Sequence, residues 1–526
     1  MSTLARLAKG TGLTLGRLGV MILGQLATVP IYLSHWDVQI FGIWLIFQSM
    51  LGYLIVVSAA FQQYSYAEML QRGAADHNGF RAVYQASVAV GYLIAALEFA
   101  AVVGLGAWAV SGTIGEAVSG DLAIVSANIF RLLALYSLVQ TAMMPLVAIT
   151  GHAVSVHGRF PRVAFWSLFQ GGLVLAAPAV AVLLGGGLMA AGLALIGAHA
   201  LAVLLSALDM VRLADGHGLF LRQSIDWRMG LRNALFCLPL AGRGFVDSFR
   251  HQGFRILLGG FAGPAAVAAL GTTRTFANVL HQGLGTITAP LMPELMRYAV
   301  ARDQARMEGA FAVVWLCLFA LLIPGVLLLA AVAEPLFLLW TRGSVAFDPV
   351  LFLTLLVVVL VYAAGQPAMA ILQGHNRIAW MTSAVAAAVT GLGLLTLVLV
   401  PPLGLQGAGF ALLGAELCAL AVVVLGAART LGAAGLVFPI RSFALTAGAA
   451  TAVLGLGLPA VTLWEGSPWA IALPFAANAA LGWLYWTTIP ALARDRIRAA
   501  LGALRARLSG AACAKAGTRN DSSPLR

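Results

Sequence analysis

Charge is scarce in this chain: Asp, Glu, Lys and Arg make up 10% of its 526 residues, while 61% are hydrophobic and the mean hydropathy is +0.93. A water-soluble domain carries about a quarter of its residues charged, so the soluble classes are excluded. Strict alternation of apolar and polar residues is missing too. Runs such as LCLFALLIPGVLLLAAVA, 316 to 333, are apolar on every side, which excludes a membrane barrel, whose strands alternate at every second residue. Cysteine is limited to Cys237, Cys317, Cys418 and Cys513, without CxxC spacing. Neither a disulfide framework nor a zinc site follows, and the first three, inside apolar segments, read as small buried hydrophobes. The P-loop, HExxH and GxSxG motifs are absent, so no nucleotide hydrolysis, no metal chemistry and no cofactor are expected.

What is present is a series of apolar segments, each near the roughly 20 residues that span a bilayer as a helix. They run from 13–33 to 468–492 and number about fourteen. The expected fold is an all-α polytopic membrane protein. The start, MSTLARLAKGTGLTLGRLGVMILG, holds Arg17 and Gln25 and lacks an A-x-A site, which favours a retained first helix over a cleaved signal.

An even number of crossings puts both termini on one side. With that side cytoplasmic, 24 of the 31 Lys and Arg fall inside, and among the opposite loops only Arg342 is basic. This is the positive-inside pattern, so the net charge of +12 reads as an insertion signal and no nucleic-acid partner is expected. The basic tail, RDRIRAALGALRARL, reads either as a helix on anionic headgroups or as a solvated stop. The longest outer loop, SGTIGEAVSGDLAIVSAN, is too short to fold as a catalytic domain.

An internal repeat is visible. PLVAITGH (145–152) matches PAMAILQGH (367–375), GLALIGAH (192–199) matches GFALLGAE (409–416), and AEMLQRGAAD (67–76) matches PELMRYAVARD (293–303). Offsets of roughly 217 to 227 residues in a common order imply two copies of a six-helix unit, related by an axis along the membrane normal. The expected organisation is an N-lobe at 1–212, a linker at 213–233, a C-lobe at 234–430, two extra helices within 431–493 and a basic tail at 494–526. The matched Pro145 and Pro367 mark kinks in equivalent helices.

Against this apolar background, GRGFVDSFRHQGFRILLGG (242–260) stands out. On a straight helix Arg243, Asp247, Arg250, His251 and Arg255 share an arc of about 140°. On the following segment Arg274, Asn278, His281 and Gln282 share about 100°. A charge at the bilayer centre costs roughly 2.5–3.5 kcal/mol on insertion scales, so two such stripes are expected to face a common aqueous cavity. Asp247 has spacing suited to pairing with Arg243 and Arg250, the basis of a purely structural salt-bridge reading. One carboxylate leaves the four arginines in surplus, however, and arginine's planar fork suits phosphate. Arg17 and Gln25 are candidates for the opposite wall. Glu98, His199 and Glu416 are isolated polar groups, expected to pack or hydrogen-bond between helices.

The stretch PIYLSHWDVQIFGIWLIFQSMLGYLIVVSAAFQQYSYAEMLQRGAAD and the later LFLLWTRGSVAFDPVLFLTLLVVVLVYAAGQPAMAILQGHNRIAW resemble the polysaccharide-export flippases of the multidrug/oligosaccharidyl-lipid/polysaccharide exporter superfamily. The resemblance implies two six-helix lobes in a V, alternating access and no enzymatic reaction. It implies a bacterial inner membrane and a polyprenyl-pyrophosphate-linked oligosaccharide as cargo. Membrane lipids, a polysaccharide polymerase and glycosyltransferases are the implied partners. The alternatives are a drug or cation antiporter of the same fold and a membrane-embedded glycosyltransferase or ligase.

Overall fold

The computed structural model describes residues 3–73, 76–111, 121–220, 224–288, 301–463 and 468–489, with Tyr298, Arg494, Asp495 and Arg498. Of the expected outer loop 111–128, residues 121–128 are helical and open α5, while 112–120 lie outside the described residues, as do Cys513, nearly all of the basic tail and most of the loop PELMRYAVARD. Among the described residues every regular element is helical.

The first part of the chain forms α1 (Thr3–Leu33), α2 (Val38–Leu54), α3 (Val56–Arg72), α4 (His77–Ser111), α5 (Asp121–Val154), α6 (Phe160–Leu183) and α7 (Leu188–Asp215). It continues as α8 (Trp227–Ser248), α9 (Phe254–Thr288), α10 (Gln304–Cys317), α11 (Ile323–Thr341), α12 (Pro349–Gly374), α13 (Ile378–Ala433), α14 (Ile440–Leu463) and α15 (Pro468–Thr488). Among the described residues nine stretches are long and apolar enough to cross a bilayer. Three of them turn back at a glycine with positive φ: Gly158 after α5, Gly263 within α9 and Gly404 within α13. These are left-handed or extended conformations that only glycine adopts cheaply, and Pro264, Pro401 and Pro402 beside two of them deny the helix a continuing N–H. Split there, and joined by α14 and α15, the helices match the fourteen segments expected. Asp37, Asp226, Asp303 and Asp348 start α2, α8, α10 and α12 by accepting a first-turn backbone N–H.

The helices gather into two compact units. The first comprises residues 1–276, 336–347 and 392–408, so α8 and the start of α9 group with α1–α7. Its core is aromatic: Tyr32 stacks on Trp36 and packs with Phe41 and Trp44. Gly42 of α2 sits so close to the Gly263–Pro264 turn that a Cβ there would fall 1.9 Å from the Pro264 carbonyl oxygen. The second unit comprises 277–335, 348–391 and 409–526. Within it a π-helical turn at Leu318–Leu322 frees the Phe319 carbonyl, to which buried Asn478 of α15 donates at 2.9 Å. Gln304 clasps the backbone N–H and C=O of Val437 at the approach to α14. Of the cysteines expected to be buried, Cys237 is buried, Cys317 is half-buried and Cys418 is exposed on α13.

The proline kinks carry a feature the repeat did not announce. A helix proline strips hydrogen bonds from the carbonyls three and four residues earlier. At Pro145 the Tyr92 hydroxyl of α4 donates to Ala142 O at 3.3 Å. At Pro367 the Trp315 indole of α10 donates to Ala364 O at 3.2 Å. Tyr92 and Trp315 lie 223 residues apart and their acceptors 222, so one latch recurs at equivalent places in both copies. Pro30 in α1 is treated alike: Trp340 Nε1 donates at 2.7 Å to Leu26 O, the carbonyl one turn before it.

Candidate functional site

The charged stretch at 242–260 spans the end of α8, a π-helical turn at Phe249–Gly253 and the start of α9. A π turn accommodates one extra residue, which sets everything after it back by about a quarter turn. The straight-helix arc is therefore corrected. Arg255 is drawn back toward the line of Arg243 and Asp247, and the stripe is narrower than the sequence implied. The opposite face of the turn packs on α2: Gly253 is buried with the Tyr53 hydroxyl against it, Gln252 lies over Gly52, and Phe245 meets the Tyr53 ring at 5.1 Å. Tyr53 and Phe245 thus hold the stripe from behind.

Within the stripe, Arg243, Arg250 and Arg255 are half-buried, and Asp247 and His251 are exposed. Asp247 joins none of the ion pairs seen among the described residues, which are Arg72–Asp76, Arg162–Asp209, Arg306–Asp303 and Arg498–Asp495. Arg255 Nε is buried without a hydrogen-bond acceptor, a position that costs about 1–3 kcal/mol, more for a charged group, until an acceptor is supplied.

The structure brings the two stripes together at one point. Arg274 Nη2 lies 3.2 Å from His251 Nδ1. A guanidinium only donates, so in this contact Nδ1 takes the acceptor's place. Asn278 is half-buried one turn further along α9; the side chains of His281 and Gln282 lie outside the described residues. Arg17 is exposed and Gln25 half-buried on α1. That helix packs against α6, Gly24 meeting Leu175, so both residues belong to a different helix pair from the stripe.

Other polar groups find partners inside the first unit. His199 is 4% exposed and lies between Gln140 at 2.9 Å and Gln170 at 3.2 Å, tying α7 to α5 and α6. This is the interhelical role expected of it. Arg162 of α6 forms a bidentate pair with Asp209 of α7, to which Trp166 also donates. Glu98 was expected to be isolated and is not: it accepts from the backbone N–H and the hydroxyl of Ser58. Neither the π turn nor this contact has a motif in the sequence; the run LIVVS at 54–58 is the one local hint that the second span is interrupted.

No family model and no curated protein matches the chain. Its similarities are to solved structures. The lipid II flippase MurJ in an inward closed conformation aligns at a TM-score of 0.62 and 11% identity, over 92% of this chain and 99% of that one. An inward-facing multidrug resistance MATE family transporter of the MOP superfamily aligns at 0.58 and 14% identity, over 80% of this chain and 99% of that one. An outward-facing form aligns at 0.55 and 14%, over 82% and 96%. The chain is thus an all-α polytopic membrane protein with the fold shared by these MATE and MurJ structures.

Proposed function

We propose that the protein is a flippase that moves a polyprenyl-pyrophosphate-linked oligosaccharide from the cytoplasmic to the outer leaflet, by alternating access of two lobes at 1–212 and 234–430. In this reading the membrane is a bacterial inner membrane and both termini are cytoplasmic. The pyrophosphate and sugar hydroxyls are what hydrocarbon refuses, and a cationic, partly aromatic surface accepts both while the prenyl chain stays in lipid. The observation that carries this reading is the buried Arg255 Nε, which has no acceptor among the described residues, on a stripe that holds Arg243, Arg250 and Arg255 against one carboxylate, Asp247. No bond is made or broken in the cargo. The likeness in fold to a lipid II flippase supports a lipid-linked cargo. The polymerase and glycosyltransferases of such a pathway are the proposed partners.

The test is glycan export in cells and headgroup transfer in proteoliposomes, with Arg243→Gln, Arg250→Gln, Arg255→Gln and Arg274→Gln made singly and together. Loss of transfer with normal amounts of folded protein is expected. Unchanged transfer by the combined variant would sink the headgroup role of the stripe. The likeness to multidrug transporters favours one second reading, a drug or cation antiporter. Accumulation of fluorescent cations in cells lacking the protein, reversed on its return, would select it.

A further inference from the structure

We propose that Arg429, braced by Trp380 and joined by Arg377, binds the phosphate of an anionic phospholipid at the membrane surface of the second unit. The seat lies at the open end of α13, which turns back on itself at Gly404. Trp380 is the third residue of this element and Arg429 the fifth from its end. Both therefore sit within about 6 Å of where the helix stops, at 1.5 Å per residue, the depth at which tryptophan and arginine meet lipid headgroups. Gly426 makes room for the ring. A Cβ there would fall 2.8, 2.9 and 3.0 Å from three ring atoms of Trp380, so the indole lays its face on the helix. Arg429, three residues on, holds its guanidinium over the same ring, 5.3 Å from the centroid. This cation–π contact keeps a long side chain in one place.

The other copy of the repeat shows what this place holds when the chain supplies its own anion. The offset that carries GLALIGAH onto GFALLGAE carries Asp209 onto Gly426 and Arg212 onto Arg429. In the first unit Asp209 is the carboxylate gripped by Arg162 and Trp166. In the second a glycine stands in its place and an aromatic ring fills the space, so the arginine is kept and the acid is lost. Arg429 and Arg377 are exposed and join none of the ion pairs seen among the described residues. Asp303 and Glu308, the carboxylates at the start of α10, are engaged by Arg306 and Gln304. Glu416, the one carboxylate of α13, lies about 20 Å from Arg429 along the helix.

Arg377 precedes Trp380 by three residues, a spacing that puts the two on a common face. Two arginines at one helix end with no acid beside them call for an anion from outside the chain, and their planar forks suit the paired oxygens of a phosphate. The surroundings select a lipid. Ile378, Leu425 and Val437, neighbours in the chain of Arg377, Gly426 and the end of α13, are large apolar side chains left exposed, a surface for acyl chains at the end of a membrane-spanning hairpin. A phosphodiester carrying two acyl chains satisfies both halves of the seat, and a net negative headgroup gains from the second arginine what a zwitterionic one does not. The site needs neither the cationic stripe of α8 and α9 nor the proposed orientation, so it stands apart from the cargo reading.

The experiment uses the full-length protein in detergent. Phosphatidylglycerol is titrated against phosphatidylcholine of the same acyl chains, and the lipids retained are counted by native mass spectrometry. A several-fold preference for one phosphatidylglycerol is expected in the wild type and its loss in Arg429→Gln. Arg429→Lys keeps the charge without the fork, and Trp380→Leu removes the brace; each is expected to weaken retention several-fold. Arg306→Gln, in which the arginine lost is one already held by Asp303, is expected to leave it unchanged. Arg429 is exposed, so its two variants carry the test even where Trp380→Leu does not fold. Retention by Arg429→Gln or Arg429→Lys equal to that of the wild type would reduce the arginine to unspecific charge and overturn the proposal. Displacement of the phosphatidylglycerol by millimolar inorganic phosphate would make this a site for free phosphate, and displacement by far less polyprenyl phosphate would make it a cargo site; either result overturns the assignment to a phospholipid.

Discussion

At the scale of single residues, close approach and charge placement decide most outcomes. Gly42 admits no side chain because the Pro264 carbonyl occupies the space, and that carbonyl belongs to a turn fixed by Gly263. Gly42→Ala is expected to cost about 1–3 kcal/mol, as overpacking does, read as a lower Tm in detergent; an unchanged Tm would mean that α2 slides freely against the turn. His217, in the turn after α7, stacks on His157 at 4.3 Å. Burial, followed by the neighbouring His157 and Arg159, holds its pKa below the ordinary histidine range. The unfolded chain then binds the extra proton first, so stability is fully present above about pH 6.5 and falls as the pH drops below it. Protection of the amides at 214–219, taken relative to intrinsic exchange at each pH, is expected to fall between pH 7 and pH 5.5 in the wild type and not in His217→Gln. The stripe was legible at this scale, because charge in an apolar run is costly wherever it occurs. Its geometry was not: a π turn leaves no mark in residue type, and Asp247, spaced to pair with Arg243 and Arg250, joins none of the ion pairs seen among the described residues.

At the scale of elements, the prolines were legible as kinks and their donors were not. A donor such as Trp315 is contributed by a helix that is adjacent only once the bundle is built, so no local pattern announces it. Tyr92→Phe and Trp315→Phe each remove one hydrogen bond while keeping the ring. Each is expected to cost about 1 kcal/mol, and the two losses to add, as they do for sites without shared partners. Denaturant unfolding of the single and double variants checks this. Asn478 makes a harder case, since Asn478→Leu orphans the Phe319 carbonyl in a buried setting. A loss of about 1–3 kcal/mol is expected, with α15 becoming accessible to protease first.

For the whole molecule, composition alone was enough for the class, and the positions of Gly158, Gly263 and Gly404 explain why nine long apolar stretches among the described residues hold twelve of the fourteen expected segments. The orientation was read from the placement of arginine and is testable directly. Cysteines introduced at Ser2 and Ser522, in a background without the native four, are expected to react with an impermeant maleimide only after inverted vesicles are exposed to it. Labelling of one from each side would make the number of crossings odd and undo the assignment of lobes.

The twin latches at Tyr92 and Trp315 have one more implication. Copying a bundle duplicates everything its backbone requires, so whatever differs between the copies was free to diverge. Glu98 on α4, with Leu321 at the matching place, is such a difference: the two copies share their proline latches and not this polar contact.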